Sequence, residues 1–416
     1  MRAMAMAALI NPATAPTASG VTVQVATADD TTLGLFPSAQ DMVTQGFVAP
    51  TGGQIYYNTA NGRAAIFNQN REGEVGNFGT LGFAAPVPVP PPLQSDPTKT
   101  GVSATGPFNL YHRTDAPRLL FRMSNVVSGG VRVLVNGQYV DPVGHDVTGS
   151  SQYLIIDFAG VRAVRDITIQ LQGLVVLFST RIDAYSRWYD PTPADPFSIL
   201  WHGDSHTESG TNAAPYWASA CHIVGERLGA WENWNAGFAS TKYTGLGGAS
   251  GLRFTIGDAM KRTLTKRAWT MVVVRGCFND IGQPSAAITA AVLAALREIR
   301  RTNPYALIVV LGVEGGATGP SAGIIAAEVA KKAAFDAFAD NFSLWIPLST
   351  RAKPVHFGTG RVGALAKDQN PVGITGNSDL YFGPDSTPAH ANAAGEAYLG
   401  RLLASELQRL VPGIPV

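Results

Sequence analysis

The second half of the chain carries short runs that are apolar at nearly every position: Phe197-Ser-Ile-Leu-Trp201, Met271-Val-Val-Val274, Ala306-Leu-Ile-Val-Val-Leu311 and Ser343-Leu-Trp-Ile-Pro-Leu348. A strand with one face in water alternates apolar and polar residues, whereas a strand covered on both faces of a parallel sheet reads like these runs. Pro284 to Arg301, Ser321 to Asp340 and Asn392 to Leu410 read as helices, the first two rich in alanine. Such βα alternation predicts a three-layer α/β/α domain over 197–416, with a central parallel sheet of about five strands.

The first of these strands runs into His202-Gly-Asp-Ser-His-Thr-Glu-Ser-Gly210, and a helix is expected from about Asn212 to Leu228. Open α/β sheets keep their ligands at the carboxyl ends of the strands, so Ser205 sits where a nucleophile would be useful. The same residues allow a plainer reading, because Ser205 and Glu208 also form an S-x-x-E capping box that would only start a helix.

Further blocks follow in order. Gly203-Asp204-Ser205, Asn235-Ala-Gly237, Gly276-Cys-Phe-Asn279-Asp280 and His390-Ala-Asn-Ala-Ala-Gly395 together resemble the four blocks of the SGNH (GDSL-type) hydrolases, over about Phe197 to Leu410. The resemblance implies a serine nucleophile at Ser205 and a general base at His390. It implies oxyanion donors from the N–H groups of Ser205 and Gly237 and the side-chain amide of Asn279. Two positions depart from the family pattern. Gly276 precedes Asn279 by three residues where the family has its glycine two before, and Thr387 stands where the family has its aspartate, three before the histidine. Asp385 is the preferred third member, the alternative being a Ser–His dyad helped by a backbone carbonyl.

These residue types suit acyl transfer. A serine hydroxyl needs a base within hydrogen-bond reach, and imidazole titrates near neutrality. A carboxylate behind the ring fixes its tautomer, and donors already aimed at the developing oxyanion lower the barrier by about 3–4 kcal/mol each. His202 and His206 flank the serine and are candidate substrate contacts, although histidines beside a loop more often serve packing. Asp204 and Asp280 are expected to brace their loops through backbone hydrogen bonds. Cys277 has no basic neighbour in sequence to activate it and reads as a buried structural residue.

Upstream, Leu119–Met123, Gly130–Val135, Tyr153–Phe158, Asp166–Leu171 and Leu174–Phe178 are short and β-branched, and Asn136-Gly137 is a hairpin signal. They predict a jelly-roll-like β-sandwich over 103–188, followed by a Pro-rich linker at 189–196. A sandwich feeding into such a catalytic block is similar to carbohydrate esterase family 2 and to some phage tail deacetylases. That arrangement implies O-deacetylation of a polysaccharide, or else a virion or tail protein whose domain binds glycan without cleaving it. Residues 1–102, rich in Ala, Gly, Pro, Thr and Asn and ending in Pro86-Val-Pro-Val-Pro-Pro-Pro92, read as an extended attachment arm holding a homo-oligomer or larger assembly. The alternative is a small β-domain packed on its neighbour.

A net charge of +1 with 15% charged residues argues against a nucleic-acid partner. The two cysteines, Cys221 and Cys277, support neither a disulfide framework nor a metal, and no cofactor is expected. No apolar run reaches the ~20 residues of a membrane span, and the Met1–Ile10 segment is too weakly hydrophobic for a convincing cleaved leader. An extracellular or virion-associated setting is favoured.

Overall fold

The computed structural model describes residues 20–27, 47–48, 108–125, 129–147, 152–172, 175–183, 186–189, 197–207, 219–230, 232–235, 237, 241–245, 264–265, 268–316, 319–352, 354–356, 382 and 389–411. Eleven of its strands belong to two antiparallel sheets: β1 (Thr22–Thr27), β2 (Phe47–Val48), β3 (Phe108–Thr114), β4 (Arg118–Asn125), β5 (Gly129–Val135), β6 (Gln138–Tyr139), β7 (His145–Val147), β8 (Gln152–Asp157), β9 (Arg165–Gln172), β10 (Val175–Asp183) and β11 (Trp188–Tyr189). One sheet runs β1-β8-β4-β10-β2; the other runs β11-β3-β9-β5-β6, with β7 also on β5.

Each run expected to be a strand between 119 and 178 falls within β4, β5, β8, β9 or β10 or ends next to one of them. The Asn136-Gly137 pair closes the β5–β6 hairpin with both residues at positive φ, 51° and 78°, as a type I′ turn requires. β1 lies in the segment expected to be an arm, yet it is hydrogen-bonded along its length to β8, Thr22 opposite Asp157 through Thr27 opposite Gln152. The alternation Val21-Thr-Val-Gln-Val25 is therefore part of a sheet. The arm's Gln54–Tyr57 run and its polyproline end lie outside the described residues.

The remaining strands, β12 (Ser198–His202), β13 (Glu232–Asn235), β14 (Met271–Val274), β15 (Leu307–Leu311) and β16 (Ser343–Ile346), form one parallel sheet in the order β13-β12-β14-β15-β16. Helices α1 (Ala220–Arg227), α2 (Ser285–Thr302), α3 (Ala322–Phe338) and α4 (Ala393–Leu410) cover both of its faces. Leu200, Val272, Val274, Ile308 and Val310 pack against Ile288, Val292 and Leu296 of α2 and Ile324, Ala327 and Ala330 of α3. Their alternates Ile199, Trp201, Met271, Val273, Leu307 and Val309 pack against Cys221 and Val224 of α1 and Leu399, Leu403 and Leu407 of α4. Successive side chains of one strand thus enter two different apolar layers, and this is why the sequence shows no alternation. The fold is the expected mixed α/β architecture around a parallel sheet.

The helix starts are set by capping: Asn392 accepts from Gly395 N at 2.9 Å and Ser321 from Ile324 N at 3.3 Å. On the helix after the Ser205 turn the expectation changes. Residues 205–207 form a turn and α1 begins at Ala220, capped by Ser219, which accepts from His222 N at 3.2 Å. Ser219, and not Ser205, is the cap of this helix. α4 lies close on α1 because residue 400 is glycine; a Cβ there would meet Ile223 Cβ at 2.9 Å.

Candidate active site

β12 delivers Ser205 to the carboxyl edge of the sheet, and the segment before α4 delivers His390 to the same place. Ser205 Oγ and His390 Nε2 are 2.8 Å apart across 185 residues of chain. The His390 ring is partly buried, and that burial, followed by a positive charge on neighbouring His206, pulls its pKa down from the ordinary 6.5 to about 4. Near neutral pH the imidazole is therefore neutral and can accept a proton.

The turn carrying Ser205 is fixed by Asp204, which is fully buried. Its Oδ1 accepts from His206 N at 3.0 Å and its Oδ2 from Phe278 N at 3.2 Å, joining the first block to the third. Gly203 is required by close approach, since a Cβ there would lie 1.8 Å from the Arg275 carbonyl oxygen and 1.9 Å from Thr207 Oγ1. Asp280 does a similar job on the other side: its carboxylate accepts from Tyr243 N at 3.0 Å and from Thr244 N and Oγ1 at 2.9 and 2.8 Å.

The expected oxyanion donors are placed unequally. Ser205 N–H makes no hydrogen bond among the described residues. Asn279 Nδ2 donates one hydrogen to the Thr241 carbonyl at 3.0 Å, leaving its second hydrogen for another acceptor. Gly237 N–H is engaged by Asn235 Oδ1 at 2.9 Å, while Asn235 Nδ2 donates to the Thr207 carbonyl at 2.5 Å. Gly237 would have to leave Asn235 to serve an oxyanion.

The displaced glycine of the third block has a local explanation. Gly276 has φ 139° and Cys277 has φ 87°, so the left-handed residue two before Asn279 is the cysteine itself. Cys277 is buried, and burial drives its thiol pKa well up, which leaves it unreactive as the sequence suggests. Asp385 and Thr387 lie outside the described residues.

His202 is a β12 residue, buried, with burial lowering its pKa to about 3. His206 is buried too, its Nδ1 3.4 Å from Glu314 Oε2 and its ring 5.0 Å from that of His390. Both histidines are thus buried, in keeping with the packing role that residues beside a loop more often have. Sequence reasoning missed a buried ionic group beneath the site. Arg275 is gripped through Nε and Nη2 by both oxygens of Glu314, the latter contact at 3.0 Å, and through Nη2 and Nη1 by Glu396 at 2.7 and 3.3 Å. Arg275 directly follows β14, Glu314 lies three residues past the end of β15 and Glu396 falls in the first turn of the last helix, so charge interrupting buried patterns was the available signal. Among the described residues no group of three or more His, Cys, Asp or Glu could hold a metal ion, and no helix is long and apolar enough to cross a membrane.

No protein-family model matches the chain, and no curated protein matches it in sequence. Solved structures do match. A salicylyl-acyltransferase, SsfX3, from a tetracycline biosynthetic pathway is similar with a TM-score of 0.56 and 17% identity, over 89% of this chain and 99% of that one. A family two carbohydrate esterase from Clostridium thermocellum, in complex with cellohexaose, is similar with a TM-score of 0.52 and 14% identity, over 76% of this chain and 95% of that one. The parallel sheet, the helices on both its faces and the turn that presents Ser205 make this an SGNH-hydrolase-like fold.

Proposed function

We propose that this protein is a serine esterase that removes O-acyl groups, acetyl foremost, from a carbohydrate. The observation that carries the proposal is the 2.8 Å approach of Ser205 Oγ to His390 Nε2 at the carboxyl edge of the parallel sheet. Ser205 Oγ attacks the ester carbonyl carbon while its proton passes to His390 Nε2. The resulting oxyanion is received by Ser205 N–H and the Asn279 amide, with Gly237 joining after release from Asn235. His390 returns the proton to the departing sugar oxygen, leaving acyl-Ser205. Water then attacks that acyl carbon, gives its proton to His390, and frees the carboxylate as Ser205 regains its hydrogen. Asp385 is the proposed partner of His390.

The carbohydrate esterase among the similar structures supports a sugar ester as substrate, and the acyltransferase supports acyl chemistry on this scaffold. We further read the two antiparallel sheets as a jelly-roll-like β-sandwich, and residues 1–102, apart from β1 and β2, as the attachment arm of an oligomer. The deciding experiment measures acetate release from aryl acetate and from acetylated polysaccharides by wild type and Ser205→Ala. Loss of about 10⁴-fold or more in the variant supports the esterase. Polysaccharide binding with no acetate release by either protein would favour a glycan-binding virion component.

A further inference from the structure

His206 and Glu314 form a buried pair that the proton path from Ser205 to His390 does not use. His206 is 4% exposed and its ring lies between two others, 4.7 Å from Phe278 and 5.0 Å from His390, tilted 35° to the latter. Nδ1 faces Glu314 Oε2 at 3.4 Å, so Nδ1 carries a hydrogen and Nε2 is the position that titrates. Nε2 is enclosed and has no hydrogen-bond partner among the described residues.

The charges around the pair do not balance without it. Arg275 is one cation gripped by two carboxylates, Glu314 and Glu396, all at 5% exposure or less. Ala220 N is a further donor to Glu396, and it brings no charge. One buried negative charge is left over, and a protonated His206 cancels it. The other charged groups facing the cluster are accounted for: Asp204 on the same turn takes two backbone N–H groups and has Lys331 of α3 near it, and His356, which meets the Phe382 ring edge-on and feels the charge of Glu314, is kept a neutral ring by burial.

We propose that Glu314 holds His206 as an imidazolium and that His206 is a positioning residue for His390, its charge keeping the neighbouring ring unprotonated and ready to take the Ser205 proton in acidic solution. The proposal rests on the Ser205–His390 esterase reading. Burial and Arg275 both oppose a charge on His206, yet Glu314 and Asp204 outweigh them and raise its pKa above the ordinary 6.5. Arg275 and His206 in turn add to burial in lowering that of His390, against Glu314.

The test combines ring titration and turnover on the full chain. In wild type, ¹³C-histidine NMR should show His206 titrating above 6.5 and His390 well below it, with His390→Asn used to assign the signal. The acid limb of kcat/KM for aryl acetate should follow His390. In His206→Gln and His206→Phe that limb should move to higher pH by roughly one to two units, as expected when a unit charge about 5 Å away is removed behind partial screening. A purely structural role would lower turnover at every pH and leave the limb in place. A limb that stays put in folded variants, or a wild-type His206 that titrates below 6.5, overturns the proposal. If no ester is turned over by wild type, the esterase reading falls, and the ring titrations alone decide the charge of His206.

Discussion

The Asp204 carboxylate accepts the Phe278 N–H at 3.2 Å, so one side chain ties the turn after β12 to the turn after β14. Its second oxygen accepts the N–H of His206, the residue after Ser205. Asp204→Asn turns one of these acceptors into a donor that faces an N–H. We expect a loss of about 1–3 kcal/mol in stability, together with a fall in kcat larger than any change in KM. Urea unfolding and steady-state kinetics on the same preparation check both.

Gly203→Ala should be far more damaging than its size suggests. The added methyl would meet the backbone oxygen of Arg275 at 1.8 Å, and backbone there cannot swing aside as a side chain tip would. The first and third blocks would be pushed apart, with turnover falling by about 100-fold or more, as is typical when reacting groups are misplaced by about 1 Å. Gly245→Ala, where a Cβ meets nothing within 4 Å, is the matched control and should change turnover little.

Arg275→Met should cost about 3–5 kcal/mol, because it leaves Glu314 and Glu396 as buried carboxylates without their cation. Adding Glu314→Gln and Glu396→Gln should restore part of that loss. Chemical denaturation of the single and triple variants measures the difference, and equal stability of the two would show that the charge balance of this cluster is unimportant.

Acid should weaken the fold well before ordinary carboxylates are protonated. Burial holds His112 and His202 at about 3 and His356 and His390 at about 4, so the unfolded chain binds protons at these sites from about pH 6.5 downward while the folded one refuses them. The stability that comes from keeping these rings neutral is present above 6.5 and drains away as pH falls toward 4 and then 3. Glu314, held well below its usual range against burial chiefly by Arg275 and then His206, adds a loss on the acid side below about 4.5. The raised His206 acts in the opposite sense, stabilising in acid and fading as pH rises through its folded value. Thermal melts across pH 4–8 should show Tm falling on the acid side of 6.5.

Much of this was legible in the chain. β12, β14, β15 and β16 announced themselves because burial on both faces demands apolar residues at successive positions, and α2, α3 and α4 start within one residue of their expected positions because Pro284, Ser321 and Asn392 mark them. β13 was hidden, since Glu-Asn-Trp-Asn has the composition of a loop. Its place in the sheet is held by side-chain hydrogen bonds, Trp201 Nε1 to Asn233 Oδ1 at 2.7 Å and Asn233 Nδ2 to the Cys221 carbonyl at 2.8 Å, which no hydrophobic pattern reveals. The meeting of Ser205 with His390 was expected from motif order. The burial of His202 and His206 agrees with the packing role that histidines beside a loop more often have, but the partner of His206, Glu314, stands 108 residues away and no local pattern reveals it.

Glu226 lies on α1, the helix whose Cys221 Sγ donates to the Thr207 carbonyl beside the Ser205 turn. Its Oε1 is shared by Tyr139 at 2.5 Å, Gln170 at 2.9 Å, Arg132 at 3.3 Å and His222 at 2.8 Å, the first three from the antiparallel sheets and the last from α1 itself. Burial opposes its ionisation, but His222, Arg132 and Gln170 hold the carboxyl well below the usual range. A chain trimmed to its parallel-sheet half would expose that carboxylate, strip three of its donors and uncover the flank of α1. The halves are therefore poor candidates for modular exchange: a graft that keeps the parallel-sheet half must carry Arg132, Tyr139 and Gln170 with it, or supply their equivalents.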